Sequence, residues 1–170
     1  MRDHINFFLM QKSLAVVILP VIILAISIGD LVAQEPPPVI DVTITQNLVF
    51  GAFTTSPTTG SVTILADGSR TTNNVIGLFG FSYSNAIFRV ATNRPALLSI
   101  LKGSNTLLTR GGGGSMTLQI GDPDPPSPFL VLHPPGFVLV TIGGTLLVGD
   151  ALANPPGNYT GTFDLTFIWE

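Results

Sequence analysis

The chain has 170 residues, room for one domain and little more. Charged residues make up only 10%, against about 25% in an ordinary soluble protein, while Gly (18) and Pro (14) are plentiful; this excludes a coiled coil, a long-helix protein and a charged disordered tail. A net charge of −3 disfavours a nucleic-acid binder, and the absence of Cys removes disulfides, thiolate nucleophiles and Cys-ligated zinc.

The first expected element is an export signal over residues 1–33. Arg2 and Lys12 give a positive start, and Leu14 to Ile28 (LAVVILPVIILAISI) is an uncharged apolar run. Asp30-Leu-Val-Ala33 and then Gln34-Glu-Pro-Pro-Pro38 follow. This is the order of a secretory signal peptide, with cleavage expected after Ala33 and a competing site after Gly29. The alternative is an uncleaved anchor. The run is shorter than the roughly 20 residues that span a bilayer, and Pro20 interrupts it. Residues 34–38 read as a stiff Pro-rich spacer, and 39–170 as the folded domain.

That domain reads as strands. Ile40, Val42, Ile44, Leu48 and Phe50 alternate with Asp41, Thr43, Thr45 and Asn47, a period of two with one wet face; Gln46 marks a bulge or a strand end. Ser61 to Ala66 is a second strand, closed by a turn at Asp67-Gly68. Ala86 to Ala91 and Met116 to Ile120 alternate in the same way. Asp122 to Pro128 (DPDPPSP) and Pro134-Pro135 read as loops that cannot donate to a ladder. Phe137 to Ile142 reads as one strand, Gly143-Gly144 as a two-residue loop, and Thr145 to Val148 as the returning strand. In the last segment Tyr159, Gly161, Phe163, Leu165, Phe167 and Trp169 share an inward face. No amphipathic helix follows the signal. Short strands separated by Gly, Pro and Asn predict an all-β fold, an immunoglobulin-like antiparallel β-sandwich.

The inventory for chemistry is thin. His133 is the sole His beyond the signal, and no Gly-x-Ser-x-Gly elbow accompanies it. The carboxylates fall in turns (Asp67, Asp122, Asp124, Asp150) or alternate outward on strands (Asp41, Asp164), not as a pair converging on a cleft. Arg110-Gly-Gly-Gly-Gly-Ser115 lacks the Lys of a phosphate loop and precedes a strand, so it reads as a hairpin loop. Asp122-Pro-Asp124 lacks the further ligands of a calcium loop. Asn158-Tyr-Thr160 fits a glycosylation acceptor, read as incidental. No catalytic, cofactor-binding or metal-ligating residue is expected. The aromatics are expected mostly in the core, where a carbohydrate-binding module would expose them.

Several motifs carry a resemblance. Leu48-Val-Phe-Gly-Ala-Phe53, Gly60-Ser-Val-Thr63 and Asp67-Gly-Ser-Arg70 stand early; Ala86-Ile-Phe-Arg-Val90, Ile142-Gly-Gly-Thr-Leu-Leu-Val-Gly149 and Gly157-Asn-Tyr-Thr-Gly-Thr-Phe163 follow. In this order they resemble the bacterial exported family known as domain of unknown function 4402, from about Val39 to Trp169. The start and the "GxYxGTF" ending are also similar to spore-coat protein U and archaic chaperone–usher pilin domains. The resemblance implies an exported envelope or surface β-sandwich from a Gram-negative bacterium and brings no activity with it. The expected function is a non-catalytic, structural or adhesive, pilin-like subunit. The alternative is a secreted binding module, for instance for carbohydrate, and the least favoured is an exported hydrolase. The expected partners are copies of the chain or other envelope subunits joined by strand pairing, with no nucleic acid and with a membrane met only through the signal segment before cleavage. Val39 to Thr45, behind the Pro spacer, is the candidate pairing strand, in its own sandwich or in a neighbour's; no further strand follows the last one to cover that edge.

Overall fold

The computed structural model describes residues 35–170, so the expected signal peptide and both cleavage sites lie outside the described residues. Residues from Pro37 to Glu170 form one compact unit. The described elements are all strands: β1 (Ile40–Gln46), β2 (Phe53–Thr54), β3 (Gly60–Ile64), β4 (Arg70–Asn73), β5 (Ile76–Gly77), β6 (Ala86–Thr92), β7 (Ala96–Lys102), β8 (Thr106–Thr109), β9 (Ser115–Asp124), β10 (Phe129–Val131), β11 (Phe137–Val148) and β12 (Leu165–Trp169). They pair antiparallel as a β-sandwich. A seven-stranded sheet runs β1-β6-β11-β3-β4, with β9 and β8 added on β11, and it faces a three-stranded sheet, β10-β7-β12.

The alternation reads directly into burial where one face is wet. On β6, Ala86, Phe88 and Val90 are buried and Ile87, Arg89 and Ala91 are half-buried. They pack on Leu98 and Ile100 of β7, Phe129 and Val131 of β10, and Val140 and Ile142 of β11. A second cluster joins Val62 and Ile64 of β3, Met116 and Leu118 of β9, and Leu146 and Val148 of β11. Leu48 and Phe163 pack against both clusters and so tie the two halves together.

Four expectations change. Phe137 to Val148 is one continuous strand, and Gly143-Gly144 is a bulge within it rather than a hairpin loop. The reason is space: a Cβ on Gly143 would lie 1.9 Å from the Ile64 carbonyl oxygen, so β11 and β3 cross at a contact only glycine permits. Part of the expected Asp122–Pro128 loop is strand, with Pro123 opposite Ile142 and Asp124 opposite Thr141. Pro is tolerated there because β8 pairs β9 only as far as Leu118, leaving Pro123 at an edge. Regular pairing of the last segment begins only at Leu165; from Tyr159 to Asp164 the chain forms no ladder beyond the single bridge of Thr160 to Thr109. Trp169, expected inside, is 50% exposed.

The expected end of the first strand is as read. β1 stops at Gln46, with a register shift between Ile44 and Gln46. The Asp67-Gly68 turn closes β3 onto β4, with Gly68 at φ +84°. Phe163→Ala should lower stability by somewhat less than the ~3–5 kcal/mol of a fully buried phenylalanine, because its side chain is half-buried. Thr162→Ala on the exposed side should change urea melting little; equal losses would mean the alternation at 162–163 is misassigned.

Candidate functional site

The site follows from a shortage of strands. In an antiparallel pair, residues directly opposite share a face. Val42 is paired with Val90, and Ile44 with Phe88, so both β1 residues lie on the core side of their sheet. Yet Val42 is 39% and Ile44 63% exposed. Among the described residues the facing sheet ends at β12, which pairs with β7, and β12 approaches β6 through Phe167 against Phe88 at 6.3 Å between ring centroids. Among the described residues, no strand beyond β12 covers β1.

The uncovered strip opens into a groove of about 870 Å³. Its apolar lining includes Ile44, Leu48, Phe50, Leu108, Met116 and Phe163. One wall is the chain from Gln46 to Thr55, and the other is Asn154 to Phe163. The second wall is an extended segment bonded along one edge only. Thr160 exchanges both backbone bonds with Thr109 (2.8 and 3.0 Å). The Thr162 carbonyl accepts from Thr106 Oγ1 at 2.8 Å, and the Asp164 carbonyl from Gly103 N–H at 2.9 Å. Successive residues of an extended chain present their backbone groups to opposite edges. Among the described residues, no bond is made by the backbone of Tyr159, Gly161 or Phe163.

Both walls are anchored. Arg110 donates from Nε to the Gly113 carbonyl at 3.0 Å and from Nη1 to the Pro156 carbonyl at 2.8 Å. The Gly-rich segment is therefore the β8–β9 hairpin loop, as expected, and its arginine braces the groove wall. Buried Asn154 accepts from Gly149 N–H and donates to the Ser115 carbonyl, and Tyr159 Oη donates to the Pro155 carbonyl at 2.8 Å. On the opposite wall Gln46 Nε2 donates to the Asn85 carbonyl at 2.9 Å, and Ser84 Oγ to the Asn47 carbonyl at 2.8 Å. The floor is thus apolar, the frame is satisfied, and one row of backbone groups is left open.

The residues weighed for chemistry are not brought together. His133 is exposed, its ring against Gly136. Lys102 Nζ donates to Asp122 Oδ1 at 2.7 Å, which lowers the Asp122 pKa through that bond and the ammonium charge; the pair is exposed and worth little to stability. Hydrogen bonds from Ser69 lower the pKa of Asp67 in its turn. No group of three or more His, Asp or Glu able to hold a metal occurs among the described residues. Asn158 is exposed on the groove wall.

Phe50, Phe88 and Phe129 are in the core, with Phe53, Tyr159, Phe163 and Phe167 packed against it. Phe79 is 98% exposed, and Phe81 and Tyr83 are exposed beside it. They stand at alternate positions of the connection between β5 and the bridge at Ser84.

The described residues thus form an all-β sandwich with an apolar groove beside an unbonded stretch of backbone. Residues 40–169 match the family described as a domain of unknown function (DUF4402), and the chain belongs to that family. No curated protein and no solved structure matches it.

Proposed function

We propose that the chain is an exported, non-catalytic structural subunit of the cell envelope or surface, and that subunits join by strand addition in the groove beside β1. The observation that carries this reading is the unbonded backbone edge of Tyr159, Gly161 and Phe163 above an apolar floor. An extended segment laid there gains ladder hydrogen bonds from the edge and buries every second side chain in the groove. Such a segment would cover Val42 and Ile44, which are core-facing but exposed. A contact in which one subunit's segment enters the next subunit's groove is heterologous and builds open filaments rather than closed rings. The strand of residues 40–46 pairs in its own sheet, with β6, so the donated segment is a different stretch or a strand released from that pairing.

The test uses the purified chain at high concentration, followed by sedimentation and electron microscopy, with and without a synthetic peptide of residues 39–50. The expected result is concentration-dependent oligomers that the free peptide suppresses. The same peptide with alternate amides N-methylated should not suppress them, because it cannot complete the ladder. A chain that stays monomeric at high concentration and binds no extended peptide overturns the proposal.

A further inference from the structure

The turn between β5 and Ser84 carries a feature the groove does not use. Ile76, Phe79, Phe81 and Tyr83 are all exposed, Phe79 almost completely, and no charged residue stands between Arg70 and Arg89. Single exposed apolar residues are ordinary, but three aromatics at alternate positions of one projecting turn are not. The turn is convex. Gly80 takes φ +82°, and a Cβ there would meet nothing within 4 Å. An exposed apolar apex fits a deformable apolar phase. Beneath it sits a cation. The Arg70 guanidinium stacks on the Tyr83 ring at 4.4 Å, and it donates to the Phe50 carbonyl at 3.3 Å and the Leu78 carbonyl at 3.4 Å. It makes no ion pair among the described residues. The order from the apex inward is therefore apolar ring, amphipathic ring, unpaired positive charge. A bilayer surface has the complementary order: acyl chains, then the interface where tyrosine rings settle, then anionic phosphate.

We propose that the Phe79–Tyr83 turn is a shallow membrane-insertion tip, seated in the acyl–headgroup boundary of a phospholipid bilayer with Arg70 at the phosphate level. This inference is independent of strand addition and can fail without it. The probe is the full chain carrying Phe79→Trp and Trp169→Phe, which places the sole indole at the apex. It is mixed with vesicles of phosphatidylcholine and phosphatidylglycerol containing brominated acyl chains. The expected result is a blue shift and quenching by the brominated lipid. The readout is local to position 79, so an association through the apolar run at 14–28 does not imitate it. Adding Phe81→Ser should weaken partition about tenfold, the scale set by one phenylalanine leaving an apolar phase. Arg70→Gln should abolish the preference for anionic over neutral vesicles and Arg70→Lys should keep it, with thermal melting checking that each variant is folded. An emission unaffected by vesicles overturns the proposal. So does an apex that responds instead to added polysaccharide, or to protein concentration alone, since the tip then belongs to a glycan site or to a second copy.

Discussion

Phe88→Ala is expected to cost about 3–5 kcal/mol, the range for a buried phenylalanine replaced by alanine. Phe88 is 7% exposed on the central face of β6. Its ring meets Phe163 edge-on at 6.4 Å between centroids and Phe167 at 6.3 Å. Across the sheet it is paired with Ile44 on one side and Val140 on the other. One side chain thus links both sheets, the final segment and the groove floor, and its loss leaves a cavity that the two phenylalanines cannot close without moving the groove wall. The neighbouring Arg89→Ala is the comparison. Arg89 lies on the outer face over the Phe137 ring at 4.4 Å, a contact worth about 0.5–1 kcal/mol. In urea the midpoint should fall strongly for Phe88→Ala and slightly for Arg89→Ala, with unchanged slope in both. Equal shifts would mean that the inner and outer faces of β6 have been exchanged.

The contrast between β6 and β7 explains how much of the fold was legible. β6 alternates because one of its faces meets polar or half-exposed surroundings, and a period of two survives in its sequence. The segment Ala96-Leu-Leu-Ser-Ile-Leu101 on β7 carries no such signal. Ala96, Leu98 and Ile100 enter the core, but Leu97 and Leu101 on the opposite face are also apolar, at 43% and 55% exposure. A strand apolar on both faces has no period to detect. Prolines and glycines misled in the other direction. Pro123 and Gly143 look like punctuation, yet each sits inside a strand because an unpaired edge or a close backbone crossing accommodates it.

The groove was half legible. The apolar face of β1 is visible as Ile40, Val42 and Ile44, but a sequence does not show that, among the described residues, no strand of the facing sheet covers it. That depends on where β12 stops, which is set by its pairing with β7 over 60 residues away in sequence; it is seen in Trp169 opposite Leu98. In the sequence, the open edge of Tyr159 to Phe163 looks like part of a full strand, since its alternation is the same whether one edge is bonded or two. The aromatic turn did leave a signal, the uncharged stretch between Arg70 and Arg89 with Phe79, Phe81 and Tyr83 spaced by two. Alternation alone does not distinguish an inward row from a protruding one.

Gly143→Ala is expected to destabilise the domain by about 3 kcal/mol or more, the upper range for overpacking. Gly143 does not have a positive φ, so the requirement is not torsional. It is steric. A methyl group there would sit 1.9 Å from the Ile64 oxygen and 2.7 Å from its carbonyl carbon, and these are backbone atoms that no rotamer change can move aside. The crossing also lies between the two core clusters. Ile142, on one side of it, is buried and paired with Ala86, while Gly144, on the other, is paired with Ile64. Relief of the clash must part β11 from β3 and so disturb Val62, Ile64 and Leu146 together. Gly111→Ala supplies the control. Nothing lies within 4 Å of its Cβ position and its φ is not positive, so the change should be neutral or slightly stabilising, by up to about 1 kcal/mol through the unfolded chain. A two-residue loop at Gly143-Gly144 would leave its Cβ position open to solvent, and the two alanine variants would then melt alike. A continuous β11 requires them to differ, with the loss at Gly143 accompanied by faster exchange of the β3 amides from Gly60 to Ile64.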